Sequence, residues 1–247
     1  MEADWVGSSP TIAPELGLLF IGEEFGILNK HGGIVALNLK TGKKKWVYRE
    51  MSDFTHSSPL YISEHKVVII GSNDGVAYCF NAKNGELMWS YKTGGEIKAS
   101  FVYCKKRDYI CFGSFDEGLY ILKAKTGELV YRSVAEYGIY STPIIFSNKL
   151  IYSSLDKKLY CLDLDTFERK WSFATNGRIF SNPTIINGRV YIGSNDARFY
   201  EIDPDTGKNT TFFQVTERIV NAPAYNKESK KIFLPTYANE IYCLERC

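Results

Sequence analysis

Residues 36-ALNLKTGKKKW-46 join a strand-like run (Ala36 to Leu39), a Thr41-Gly42 turn, three lysines and a tryptophan. Forty-three residues on, 79-CFNAKNGELMW-89 repeats that order. Aligned on the fourth position after the turn glycine, the chain shows Trp46, Trp89, Tyr131, Trp171 and Thr211, spaced 43, 42, 40 and 40 residues apart; Trp5 lies 41 before Trp46. A second register agrees with the first. Pro10, Pro59, Phe101, Pro143, Pro183 and Pro223 each follow a pair of small or polar residues: SSP, SSP, ASF, STP, SNP and NAP. A third is the apolar run ending in Gly-Ser: IIGSNDG at 69–75, CFGSFDEG at 111–118 and YIGSNDA at 191–197, with weaker copies at 152–158 and 233–239.

Each unit reads as four short strands. In the second they are HSSPLYIS, VVIIGSN, VAYCFNA and ELMWSYK, rich in β-branched and aromatic residues and separated by Asn-Asp-Gly and Asn-Gly turns. No segment carries a helical period. Four strands per repeat of about 40–45 residues is the signature of a β-propeller blade. The expected fold is therefore all-β: a six-bladed β-propeller of four-stranded antiparallel blades, forming one domain over residues 1–247. The last unit offers three strands (219-IVNAPAYN, 231-KIFLPTY and 240-EIYCLERC), while the chain opens with 3-ADWVG, a lone strand-like run. The N-terminal strand is accordingly expected to complete the last blade and cover its open edge.

The outer-strand tryptophan has the size to pack between neighbouring blades. Ten residues before it stand Ala36, Cys79, Ile121, Cys161, Glu201 and Cys243. Cys79, Cys161 and Cys243 thus read as small apolar groups.

With 45% apolar residues, 15% aromatic residues and a net charge of +2, the chain can bury a core and shows no nucleic-acid footprint. No apolar run approaches the roughly 18 residues of a membrane span. The start, MEADWVGSSPTIAPELG, has neither a basic region nor an apolar core of a signal peptide. Six cysteines (Cys79, Cys104, Cys111, Cys161, Cys243, Cys247) form no C-x-x-C pair, and there are three histidines (His31, His56, His65), so no zinc site is expected. Free thiols and the missing signal favour the cytoplasm. The Asn209-Thr210-Thr211 triplet carries little weight in that setting.

The pattern Ala36-x-Asn38-x-x-Thr41-Gly42-x-x-x-Trp46 resembles the tryptophan-docking motif of the pyrroloquinoline-quinone (PQQ)-like propeller repeats. The second copy departs at Cys79 and Asn84. The third keeps Thr126-Gly127 but ends in Tyr131. The fourth keeps Asp163, Thr166 and Trp171 with Phe167 for glycine, and the fifth keeps Asp203, Thr206 and Gly207 without the tryptophan. The resemblance covers essentially the whole chain. It implies the propeller fold but not one activity, since the family spans quinoprotein dehydrogenases, an outer-membrane assembly lipoprotein and C-terminal propellers carried by acyl-adenylating enzymes. The quinoprotein alcohol dehydrogenases have eight blades, a vicinal cysteine disulfide and calcium, and this chain has no adjacent cysteines. Asp74, Asp116, Asp156 and Asp196 sit at turns, where Asx chemistry accounts for them.

In a propeller the innermost strands line the central channel, and here these are the S-S-P strands. Three residues before the Pro/Phe column stand Gly7, His56, Lys98, Tyr140, Phe180 and Val220; five before it stand Trp5, Phe54, Glu96, Gly138, Arg178 and Arg218. The position between them is nearly constant (Val6, Thr55, Ile97, Ile139, Ile179, Ile219), which marks packing, whereas the flanking positions vary, which marks a surface. His56, Glu96, Lys98, Tyr140, Arg178, Phe180 and Arg218 are the candidate binding residues at the channel mouth, suited to an acidic or aromatic peptide. The loop 25-FGILNKHGG-33 is a second candidate recognition element. No catalytic base–nucleophile pair is placed together. The expected function is a non-catalytic scaffold that binds a protein or peptide partner through one face, as a monomer or a module of a larger assembly, with no cofactor, no nucleic acid and no membrane span. The alternative is a small-molecule or quinone (PQQ) binding protein or oxidoreductase with a site in the central channel, where Lys98, Arg178 and Arg218 would converge on the ligand's carboxylates.

Overall fold

A run of alternating apolar residues closed by a glycine turn can satisfy its backbone only beside another such run. In the computed structural model, which describes residues 3–26 and 29–245, these runs form strands in six antiparallel sheets. The chain divides into two compact units, Met1–Val134 and Ala135–Cys247.

The first unit holds three four-stranded sheets. They are β1 (Thr11–Ala13), β2 (Leu18–Phe25), β3 (His31–Asn38) and β4 (Lys44–Met51); β5 (Leu60–Ile62), β6 (Val67–Gly71), β7 (Val76–Asn81) and β8 (Leu87–Lys92); and β9 (Val102–Cys104), β10 (Tyr109–Gly113), β11 (Gly118–Lys123) and β12 (Leu129–Val134). The second unit holds β13 (Ile144–Phe146), β14 (Lys149–Ser153), β15 (Lys158–Asp163) and β16 (Arg169–Ala174); β17 (Thr184–Ile186), β18 (Arg189–Gly193), β19 (Arg198–Ile202) and β20 (Asn209–Gln214); and a three-stranded sheet of β21 (Ala224–Asn226), β22 (Lys231–Pro235) and β23 (Ile241–Glu245).

Two expectations are corrected. The N-terminal residues do not extend the last sheet. Asp4 and Trp5 donate backbone N–H bonds to Glu24 O (3.0 and 3.2 Å), and Glu24 N donates to Trp5 O at 3.1 Å, so the segment lies on β2 in its own unit. The S-S-P segments, moreover, are not strands. Each innermost strand has three residues and starts after the Pro/Phe column; in five of the six sheets that residue is a proline, which has no N–H for a ladder. The residue before the proline instead links sheet to sheet. Ser9 N donates to Ser58 Oγ (3.0 Å), Ser58 N to Ser100 Oγ (2.9 Å) and Thr142 N to Asn182 Oδ1 (2.8 Å).

The tryptophan repeat has a direct physical basis. Trp46 stands opposite Ala36, Trp89 opposite Cys79 and Trp171 opposite Cys161. Each indole reaches the next sheet and donates Nε1–H to a carbonyl there: Ala82 O (2.9 Å), Ala124 O (3.2 Å) and Pro204 O (3.0 Å). Each ring also covers the turn glycine of that sheet. A Cβ at Gly85, Gly127 or Gly207 would sit within 2.7 Å of the ring, and all three glycines have φ between 69° and 78°. One residue type thus meets two demands, close approach and left-handed backbone.

The Gly-Ser register also packs. A Cβ at Gly71 or Gly193 would collide with Ile97 or Ile219, the constant isoleucine column. The following Asp ties the hairpin: Tyr78, Tyr120, Tyr160 and Tyr200 donate Oη–H to Asp74, Asp116, Asp156 and Asp196, at 2.9, 2.5, 2.6 and 2.7 Å. Burial raises the Asp116 carboxyl, but bonds from Tyr120, Gly94 and Gly118 outweigh it and hold the group below the usual carboxylate range.

Cys79, Cys104, Cys111 and Cys161 are buried and Cys243 is exposed; Cys247 lies outside the described residues. Burial pushes the Cys161 thiol up to about 12 and raises Cys79 and Cys111 as well. The thiolate is the reactive form. In the native protein at pH 8 an iodoacetamide pulse is therefore expected to modify Cys243 well before these three, as read by peptide mass mapping. Equal rates at Cys161 and Cys243 would contradict the buried assignment.

Candidate functional site

The candidate residues fall in both units, and in each they are held the same way. The residue five before the Pro/Phe column offers its carbonyl to the residue that follows Gly-Ser or its counterpart. Asn73 N donates to Phe54 O, Phe115 N to Glu96 O, Leu155 N to Gly138 O, Asn195 N to Arg178 O, and Tyr237 N to Arg218 O, all at 2.8–3.0 Å. The buried Thr55, Ile97, Ile139, Ile179 and Ile219 anchor these loops from below. Variable side chains therefore rest on a fixed backbone.

In the first unit the charges neutralise one another. Lys98 Nζ lies 2.5 Å from Glu96 Oε2 and over the Phe115 ring at 4.8 Å. Lys30 pairs with Asp53 at 2.8 Å. His56 Nδ1 lies 2.8 Å from Asn73 Nδ2 and 3.1 Å from its Oδ1, and His56 Nε2 is 3.9 Å from Glu24 Oε1. Glu24 is 4% exposed and its Oε1 has no hydrogen-bond partner. His31, expected in a long recognition loop, instead opens β3 and stacks on Phe25 with centroids 4.5 Å apart; Ile27 and Leu28 of that loop lie outside the described residues.

The second unit is different. Tyr140 and Phe180 meet edge to face, with centroids 5.4 Å apart. With Arg218, Val220, Asn221 and Tyr237 they line an open depression of about 270 Å³. Arg218 lies over the Tyr237 ring at 3.8 Å and Arg178 over the Tyr137 ring at 5.4 Å. Tyr137, Tyr140 and Tyr237 are all exposed. Among the described residues neither arginine has a carboxylate within ion-pair distance. Beside Tyr237, a second hollow of about 760 Å³ brings Arg218 together with Asn195, Asp196 and Glu217. Arg218 Nε and Asn195 Oδ1 are buried there without a hydrogen-bond partner.

Tyr140, Phe180 and Arg218 thus form one surface, and Arg178 sits on Tyr137. Glu96 and Lys98 bind each other, and His56 belongs with Asn73 and Glu24. Tyr137, Tyr237, Asn195, Asn73 and Glu24 are the contributors that the repeat columns did not point to.

A family profile described as the beta-propeller of the beta-alanine-activating enzyme matches residues 6–246. The chain belongs to this family. The beta-alanine-activating enzyme of Danio rerio is 44% identical over 43 residues, which is 17% of this chain and 4% of that protein. The match therefore spans a small part of its relative. The crystal structure of the computationally designed Ika8 protein resembles the chain with TM-score 0.81 at 13% identity, covering 97% of this chain and 70% of that one. BamB from Moraxella catarrhalis gives TM-score 0.65 at 15% identity, covering 98% and 86%. At these identities the likeness shows the fold alone: an all-β propeller, with the six sheets as its blades.

Among the described residues no three Asp, Glu, His or Cys side chains gather as a metal-holding group, and no helix is long and apolar enough to cross a membrane.

Proposed function

We infer that this propeller is a non-catalytic binding module that takes an acidic segment of a protein partner, with apolar side chains beside the acids, on the arginine–aromatic surface of its second unit. The observation that carries this reading is the state of the two arginines. Arg178 and Arg218 lie over tyrosine rings and, among the described residues, are not spent on ion pairs, whereas Lys98 is bound to Glu96. A guanidinium fixed by stacking keeps its planar donor edge ready for a carboxylate. Exposed tyrosines beside the half-buried Phe180 and Arg218 are also the composition of binding hot spots.

The test is fluorescence anisotropy with a labelled peptide of alternating glutamate and phenylalanine. Binding in the micromolar range at low salt is expected. The Arg178→Ala, Arg218→Ala double variant is expected to weaken it by about tenfold to a hundredfold, with the melting temperature unchanged. The reading fails if the double variant binds as the wild type does, or if the wild type does not bind at millimolar peptide.

A further inference from the structure

Arg218 and Tyr237 line two hollows of the second unit at once. On one side they close the depression of about 270 Å³ that Tyr140 and Phe180 line. On the other they wall the hollow of about 760 Å³ that holds Asn195, Asp196, Thr216 and Glu217. The guanidinium lies 3.8 Å from the Tyr237 ring centroid, and Tyr237 N donates to Arg218 O at 3.0 Å. The pair is therefore a partition with an aromatic depression on one face and a polar hollow on the other.

The groups of the polar hollow differ in what they still offer. Asp196 is satisfied: it accepts N–H bonds from Asn176 (2.9 Å) and Arg198 (3.1 Å) and the Tyr200 hydroxyl (2.7 Å). Thr216 donates to Glu240 at 2.6 Å. Glu217 is exposed and, among the described residues, accepts one weak bond, from Arg218 N at 3.4 Å, with no cation in ion-pair contact. Asn195 Oδ1 is buried without a hydrogen-bond partner. A carboxylate arriving on Arg218 thus comes close to a second carboxylate, and like charges across an interface oppose binding. A cation beside the arriving acid removes that cost and meets Glu217.

The first unit shows the same position holding an ammonium. Asp53 stands six residues before Pro59, as Glu217 stands six before Pro223. Asp53 binds Lys30 Nζ at 2.8 Å, and that ammonium lies over the Phe54 ring at 4.9 Å. In the first unit the chain supplies the lysine. At Glu217 the cation has to come from the occupant.

We propose that the acidic segment taken by the second unit carries a lysine on the far side of its acid from its aromatic residue. It then reads aromatic–acid–lysine: the ring in the Tyr140–Phe180 depression, the carboxylate on Arg218, and the ammonium on Glu217 with Asn195 Oδ1 as a second acceptor. This rests on the arginine–aromatic reading above and adds to it the cation and the order.

The test is anisotropy at low salt on the full chain with three labelled peptides of equal length. They carry Phe-Glu-Lys, Phe-Glu-Gln or Glu-Phe-Lys between glycine–serine flanks. Phe-Glu-Lys is expected to bind about threefold to fivefold tighter than the other two, the size of a solvent-exposed ion pair. Glu217→Gln is expected to weaken Phe-Glu-Lys and to tighten Phe-Glu-Gln, because it removes an attraction for one and a repulsion for the other. A merely structural role for Glu217 would move both peptides in one direction, and that result overturns the proposal. Equal binding of Phe-Glu-Lys and Glu-Phe-Lys overturns it too. If Phe-Glu-Gln binds through Arg178 and Arg218 and lysine adds nothing, this inference fails while the arginine reading stands. If none of the peptides binds at millimolar concentration, both fail together.

Discussion

Trp46→Ala is expected to destabilise the first unit by about 3–5 kcal/mol, the range for truncating a large buried aromatic residue. The indole is 9% exposed and packs in one core cluster with Phe20, Ile34, Val68 and Phe80. Removing it leaves a cavity between two sheets, bares the left-handed turn at Gly85 and deprives Ala82 O of its donor. Gly85→Ala attacks the same contact from the other side, because its Cβ would strike the ring at 2.7 Å and φ is +78°. The two lesions share one contact, so they are expected to combine less than additively in a double-mutant cycle. Urea unfolding checks both. A cost below about 1 kcal/mol for Trp46→Ala would show that the ring is not the joint between these sheets.

Arg49→Ala is expected to cost about 3–5 kcal/mol through a different route. Glu23 is fully buried in β2, and Arg49 meets its Oε2 through both Nε and Nη2 at 3.0 Å while lying over the Phe25 ring. Truncating the arginine strands a carboxylate away from water. Replacing both residues by leucine removes the pair together and is expected to be milder than the single change, since a buried ion pair contributes little net stability against apolar isosteres. Thermal and urea unfolding of the two variants give the comparison. A harmless Arg49→Ala would mean that water reaches Glu23.

The blade plan was legible because each sheet repeats the same contact. Trp46 and Gly85 lie in columns that recur at intervals of 40–43 residues, so the packing pair can be found by counting. The candidate rim was legible in half. Arg178, Arg218, Tyr140 and Phe180 vary where their neighbour stays isoleucine, which marks a surface on a fixed base. Tyr237 and Asn195 escaped because they follow the Gly-Ser register and read as strand ends; their backbone bonds to Arg218 and Arg178 tie each sheet to the segment that leads into it. Glu24 escaped because a carboxylate in 18-LLFIGEEF-25 reads as a solvent face, and its burial depends on partners outside β2, including His56. The N-terminal strand was misplaced for a related reason. A lone Trp5 fits the tryptophan column by spacing, but Glu24 offers its backbone a nearer partner.

The claim that the second unit's arginines receive an acidic partner is tested most directly by NMR of the arginine Nε–Hε groups, assigned with Arg178→Lys and Arg218→Lys variants, during titration with the glutamate–phenylalanine peptide. Arg218, whose Nε is buried without a partner, and Arg178 are expected to shift together with one dissociation constant. Arg49, held by Glu23, is expected to stay in place. Shifts at other arginines with Arg178 and Arg218 unmoved would contradict the account and place the partner elsewhere.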